Sequence, residues 1–174
     1  PMTANNEAVR RFATDSLKHD FKNQLRDVSA EQIVALSANQ PRSNAKDALI
    51  VWLISQSPNF EQSQFRSLGL HDVVLGLLFS NHAPAAKYAF EYAKSYALDL
   101  PLTTLLLLAD SPNADARQFA IGQILSRDAR KDIGLAGWGQ LLDSQYHHDI
   151  ATKQLLEHFN RRDFSQDWFY QRLL

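Results

Sequence analysis

The sequence predicts an all-α fold, a right-handed α-solenoid of about four to five antiparallel helix pairs, and three observations carry that expectation. A short phrase recurs as Val9-Arg10-Arg11-Phe12-Ala13, Ala45-Lys46-Asp47-Ala48-Leu49, Ala86-Lys87-Tyr88-Ala89-Phe90, Ala116-Arg117-Gln118-Phe119-Ala120 and, more loosely, Ala151-Thr152-Lys153-Gln154-Leu155. Its anchors lie 36, 41, 30 and 35 residues apart, the range of helical-pair repeats rather than of strands or propeller blades. Apolar residues within the phrases follow a helical period, and each of the last four phrases is preceded by another apolar segment and a polar turn. A unit that cannot bury its own apolar face must stack on its neighbours, so residues 1–174 are expected to form a single repeat domain.

Taken along the chain, Ser29 with Gln32 fits a capping box ahead of the apolar stretch Ile33 to Leu36. Asn39, Pro41 and Asn44 then turn the chain into the stripe Ala45, Ala48, Leu49, Trp52 and Leu53, which places Trp52 in the core. Leu75 to Phe79 leads through Asn81, His82 and Pro84 to Ala86, Ala89, Phe90 and Ala93. Leu105 to Ala109 leads through Ser111, Pro112 and Asn113 to Ala116, Phe119, Ala120 and Ile124, and Pro101 and Pro112 suit helical starts. Leu141 and Leu142 lead through Ser144 and His147 to Ala151. Alanine at the first position of each stripe allows close approach, and the larger residue that follows fills the groove. Gly122, inside a periodic helix, reads as a residue that permits close packing, whereas Gly134, Gly137 and Gly139 argue against a regular helix around Trp138.

Composition bounds the function. The chain has 174 residues, 45% of them hydrophobic, enough for one core and too few for two comfortable domains. Eighteen Lys and Arg against nineteen Asp and Glu leave a net charge of -1, so no strong global field attracts nucleic acid or an anionic membrane. The lack of cysteine excludes disulfides, thiolate catalysis and sulfur-ligated zinc, and fits a cytoplasmic location. No apolar run approaches the roughly 20 residues that span a bilayer. Pro1 ahead of Met2 reads as a remnant of tag cleavage. The apolar stretch Trp168 to Leu174 reads either as a docked terminal helix or as the cut edge of a larger protein.

The turn Asp110-Ser111-Pro112-Asn113-Ala114-Asp115-Ala116-Arg117, and less sharply Asn39 to Lys46 and Asn81 to Lys87, resembles HEAT-type repeats. In that family a first apolar helix ends in an Asp or Asn turn, and the second helix begins with a small or branched residue followed by Lys or Arg. The resemblance spans most of residues 5–160 and implies a fold with a binding surface rather than a particular chemistry.

Aligning the phrases puts Arg10, Lys46, Lys87 and Arg117 in one column, with Lys153 one residue out of step. This column has three readings. It is a ladder facing an acidic peptide or a run of phosphates, or, as the resemblance implies, a set of ties to the turn Asp or Asn of the repeats, or plain solvated charge. Arg127, Arg130 and Lys131, interleaved with Asp128 and Asp132, read as a solvated end.

Chemistry is sparse. His147, His148 and Asp149 share a turn, but adjacent histidines at a helix start do not converge on one ion, so they read as exposed turn residues. No phosphate loop, dinucleotide fingerprint or nucleophile elbow is present. No catalytic residue, metal or cofactor is therefore expected. The leading expectation is a non-enzymatic module that binds a protein or peptide across its second helices. The alternative is a nucleic-acid-binding domain or DNA-repair glycosylase in which Trp138, Asp143 and Arg117 approach one another across adjacent repeats.

Overall fold

In the computed structural model the chain is described for residues 3–20, 25, 27–39 and 42–173, with the side chains of residues 3–7, 10 and 173 excepted. Pro1, Met2, Pro41, Leu174 and the Arg10 side chain lie outside the described residues. The fold is all-α, and the described residues contain no strand. Among the described residues ten α-helices run in the order α1 (Thr3–Asp20), α2 (Ala30–Ala38), α3 (Asn44–Gln56), α4 (Leu70–Gly76), α5 (Ala83–Tyr96), α6 (Leu102–Ala109), α7 (Ala114–Leu125), α8 (Gly134–Leu142), α9 (His148–His158) and α10 (Gln166–Leu173). None of the described helices is long and apolar enough to cross a membrane.

Local chemistry sets the helix starts. Ser29 accepts from the Gln32 backbone while the Gln32 side chain accepts from the Ser29 backbone, which is the expected capping box of α2. Ser43 caps α3 through the Lys46 amide, and Asn113 caps α7 through the amides of Asp115 and Ala116. Pro84 lies in the first turn of α5, where its missing N–H costs nothing. Gly69, at φ 72°, precedes α4 in a left-handed conformation that favours glycine. A π-helical turn at Ala129–Ile133 precedes α8, whose first residue, Gly134, has φ 64°. The three glycines near Trp138 therefore stand within a helix, contrary to the sequence reading: Gly137 and Gly139 lie where a Cβ would run into Ile133 and Arg172.

All five phrases fall on helices, namely α1, α3, α5, α7 and α9. The chain divides into two compact units, Pro1–Ala97 and Leu98–Leu174. In the first, α2 packs on α3 and α4, α4 packs on α5, and α3 packs on both α1 and α5. Its core is built from Ile33, Ile50, Ile54, Phe65, Leu70, Val74 and Tyr92. In the second, α6 packs on α7 and α8, and α8 packs on α9. Leu105, Leu108, Ile124, Trp138 and Leu141 form its core. The alanines at the first phrase position, Ala45, Ala86, Ala116 and Ala151, are all buried, as close helix approach requires.

Two packing expectations are corrected. Trp52 is half-buried rather than a core residue, because the α3 face that closes the core is carried by Ile50, Leu53 and Ile54. Gly122 is exposed, and a Cβ there would meet nothing within 4 Å, so it serves no close helix contact.

Candidate functional site

The basic column divides according to burial. Lys46 is only 9% exposed, and its Nζ donates to the Ser37 carbonyl at 2.8 Å, near the C-terminal end of α2, where a cation offsets the helix dipole. Burial holds its pKa below the ordinary lysine value, with Asp47 acting in the opposite direction. Arg117 donates from Nη1 to the Ser111 and Pro112 carbonyls at 2.8 and 2.9 Å, and its guanidinium stacks 3.9 Å above the Tyr146 ring. Lys46 thus ties α3 to the end of α2 and Arg117 ties α7 to the turn before it, both through backbone carbonyls. Lys87 and Lys153 are exposed.

The turns contain a recurring serine that the sequence reading passed over. Ser80, Ser111 and Ser144 each accept from the backbone N–H two residues on, and thereby fix successive interhelical turns in the same shape. Two of them also reach into a neighbouring repeat. Ser80 donates to the buried Asp47 carboxylate at 2.5 Å, and Ser144 donates to Asp110 at 2.9 Å. The signal in the sequence was a serine five to seven residues ahead of three phrase alanines.

A groove of about 460 Å³ opens in the first unit between α1 and α3. Arg11, Thr14, Asp15 and Lys18 form one wall, Asn44, Ala45 and Ala48 the other, and His82 closes the end. Helical spacing places residues 11, 14, 15 and 18 on one face of α1. Two cations against one carboxylate leave this wall net positive, and it lies beside the N-terminal turn of α3, whose free amide dipoles also favour an anion. His82 Nδ1 is buried without a hydrogen-bond partner. Of the column, Arg10 directly precedes Arg11 in the sequence, and it is Arg11 that lines the groove.

A second cavity, of about 450 Å³, lies in the other unit between the first helices α6 and α8. Its floor is Leu106, Leu107 and Leu141, and Asp110 and Asp143 stand at its edge.

The residues considered for glycosylase chemistry are engaged separately. Trp138 is 1% exposed with its indole N–H on the Ala129 carbonyl at 2.9 Å, and Asp143 pairs with Arg172 at 2.8 Å. Arg117 is held by the carbonyls already described. The cluster at 127–131 is likewise not merely solvated. Arg127 donates to the Leu100 carbonyl, and Arg130 makes a two-pronged bond to Asp163 at 2.8 and 3.2 Å, which lowers the Asp163 pKa. His147 corrects the turn reading in another way. It is 8% exposed while His148 remains exposed, because its ring turns inward against the Ala109 carbonyl at the end of α6.

Comparison with protein-family models, with curated proteins and with solved structures finds no match.

Proposed function

We propose that this chain is a HEAT-like helical-repeat module, a right-handed stack of antiparallel helix pairs, that binds a protein or peptide partner across its second helices. The order of packing supports the repeat reading: in the first unit α3 packs on α1 and α5 as well as on α2, and in the second α6 packs on both α7 and α8, as stacked pairs do. The five phrases on alternate helices support it further.

The observation that carries the binding reading is the groove between α1 and α3. It presents Arg11 and Lys18 over a floor of small residues, Ala45 and Ala48, so an extended segment with an acidic side chain fits its shape and charge. Lys46 and Arg117 serve the stack in this reading, whereas the exposed Lys87 and Lys153 remain candidates for outer contacts.

An array of acidic, neutral and basic peptides tests the proposal. Acidic peptides should bind, and Arg11→Glu combined with Lys18→Glu should weaken them by about tenfold or more without loss of helical circular dichroism. Equal binding by the double variant would exclude the groove. Tight binding of a labelled DNA duplex that falls steeply with salt would replace the peptide reading by a phosphate-binding one.

A further inference from the structure

The first helices of the second unit end side by side. Asp110 caps the C-terminus of α6 and Asp143 that of α8, and Ser144 joins the two ends by donating to Asp110 at 2.9 Å. Each helix also leaves free carbonyls at this end, so its dipole adds to the negative potential of the carboxylate. Two carboxylates and two helix C-termini thus stand at one end of the α6–α8 cavity, and among the described residues no Lys, Arg or His lines it.

Away from that end the cavity is apolar. Residues 103, 106, 107 and 110 share the face of α6 opposite the one that carries Leu105, Leu108 and Ala109 into the core. Leu107 is therefore 66% exposed, and with Leu106 and Leu141 it floors a space of about 450 Å³, within the size range of ligand sites. An apolar floor with an anionic end suits a group that is apolar along most of its length and cationic at one tip. A bare metal ion would gain nothing from the leucines. The chain's own Arg172 shows which cation fits. From α10 it pairs with Asp143 at 2.8 Å while its guanidinium lies 5.3 Å from the Trp168 ring centre. Arg172 does not line the cavity, so it neutralises one carboxylate from outside, and among the described residues Asp110 has no ion-pair partner.

We propose that the α6–α8 cavity docks a segment of a partner protein in which a leucine-class side chain lies close to an arginine. The apolar side chain packs on Leu106, Leu107 and Leu141, and the arginine enters the Asp110 and Asp143 end in competition with Arg172. A planar guanidinium suits that end because its fork bonds carboxylate oxygens in pairs. The charge preference is opposite to that of the α1–α3 groove, and the site does not rest on that groove's ligand.

Fluorescence anisotropy with the full chain and labelled peptides tests this. A peptide of alternating Leu and Arg should bind, and its counterpart with Ser for Leu should bind at least about tenfold more weakly. Leu107→Ser and Asp110→Asn should each weaken the Leu and Arg peptide by about tenfold. Circular dichroism should stay native in both, because the side chains are exposed and Asn keeps an acceptor for Ser144. Arg172→Met and Asp143→Asn cut the same ion pair and separate binding from structure. Arg172→Met frees the anionic end and should tighten binding by about threefold or more, whereas Asp143→Asn should weaken it. A purely structural pair would move both variants in one direction. A Leu and Glu peptide, suited to the α1–α3 groove, should respond to none of the four substitutions, so the two sites stand or fail separately. Equal binding of the Ser and Arg peptide overturns the proposal. So does a Leu and Arg peptide that ignores Leu107→Ser, or that fails to bind Arg172→Met more tightly.

Discussion

Lys46 and Lys87 occupy the same position of successive phrases, yet only the first is buried. Lys46→Met keeps most of the apolar stem and removes the charged bond to the Ser37 carbonyl, so it should cost about 1–2 kcal/mol in thermal or denaturant unfolding. Arg117→Met should cost a similar amount, because two carbonyls and the Tyr146 ring lose their partner together. Lys87→Ala should stay within about 0.5 kcal/mol of wild type, as exposed substitutions usually do. Equal effects at all three positions would show that burial does not divide the column. The column itself was legible from the phrase spacing, but its division was not. Phrase register fixes where a side chain starts, whereas its environment depends on how the preceding helix ends. Before α3, α2 ends with the Ser37 carbonyl in reach, and before α5 the chain tightens from α4 into a 3-10 turn at Leu77–Phe79.

At the scale of elements, the turn serines and the helix glycines make opposite demands on the packing. Ser80→Ala removes the hydroxyl partner of Asp47, a carboxylate only 4% exposed, so a loss of about 1–3 kcal/mol is expected. Ser144→Ala should cost less, because Asp110 is exposed and water can replace the lost bond. Gly122→Ala should stabilise by about 0.5–1 kcal/mol, since the helix gains propensity and the methyl group meets nothing within 4 Å. Gly137→Ala should destabilise, because its Cβ would stand 2.8 Å from Ile133 Cγ2 and 3.4 Å from Leu102 Cδ2 on another helix. Melts of the four variants check all of these signs. The helices were legible where a cap and an apolar period agreed, as at Ser29 and Ala116. Around Trp138 they were not, since glycine lowers intrinsic helix propensity while the close approach of Leu102 and Arg172, which those glycines admit, is a property of packing alone. The α1–α3 groove was hidden for the same reason: Arg11, Lys18 and Ala48 are distant in sequence and meet only when second helices stack.

For the whole molecule, three groups shape the acid side of the stability curve. Burial holds the His147 imidazole below its ordinary value near 6.5, with the Arg117 guanidinium pushing in the same direction and the Ala109 carbonyl and Asp110 opposing it. The unfolded chain therefore takes up this proton first as pH falls. Stability is complete above the ordinary histidine value and declines as pH drops toward the folded one. A second decline belongs to Asp163 and Asp128, whose folded values lie below the ordinary 3.8 because of the Arg130 hydrogen bonds on the one and the Lys131 backbone N–H on the other. Their contribution is present above that value and fades below it. Tm measured against pH should thus fall in two stages, the upper beginning just below neutrality. His147→Leu, which fills the buried site with an apolar group that cannot be charged, should flatten the upper stage and leave the lower one in place. Arg117 and Asp110 also face His147, so Arg117→Met, which removes a cation that lowers the folded value, should shorten the upper stage while leaving its onset in place. An upper stage unchanged in His147→Leu would mean that the acid-sensitive group lies elsewhere in the chain, and that the inward turn of this histidine is neutral for folding.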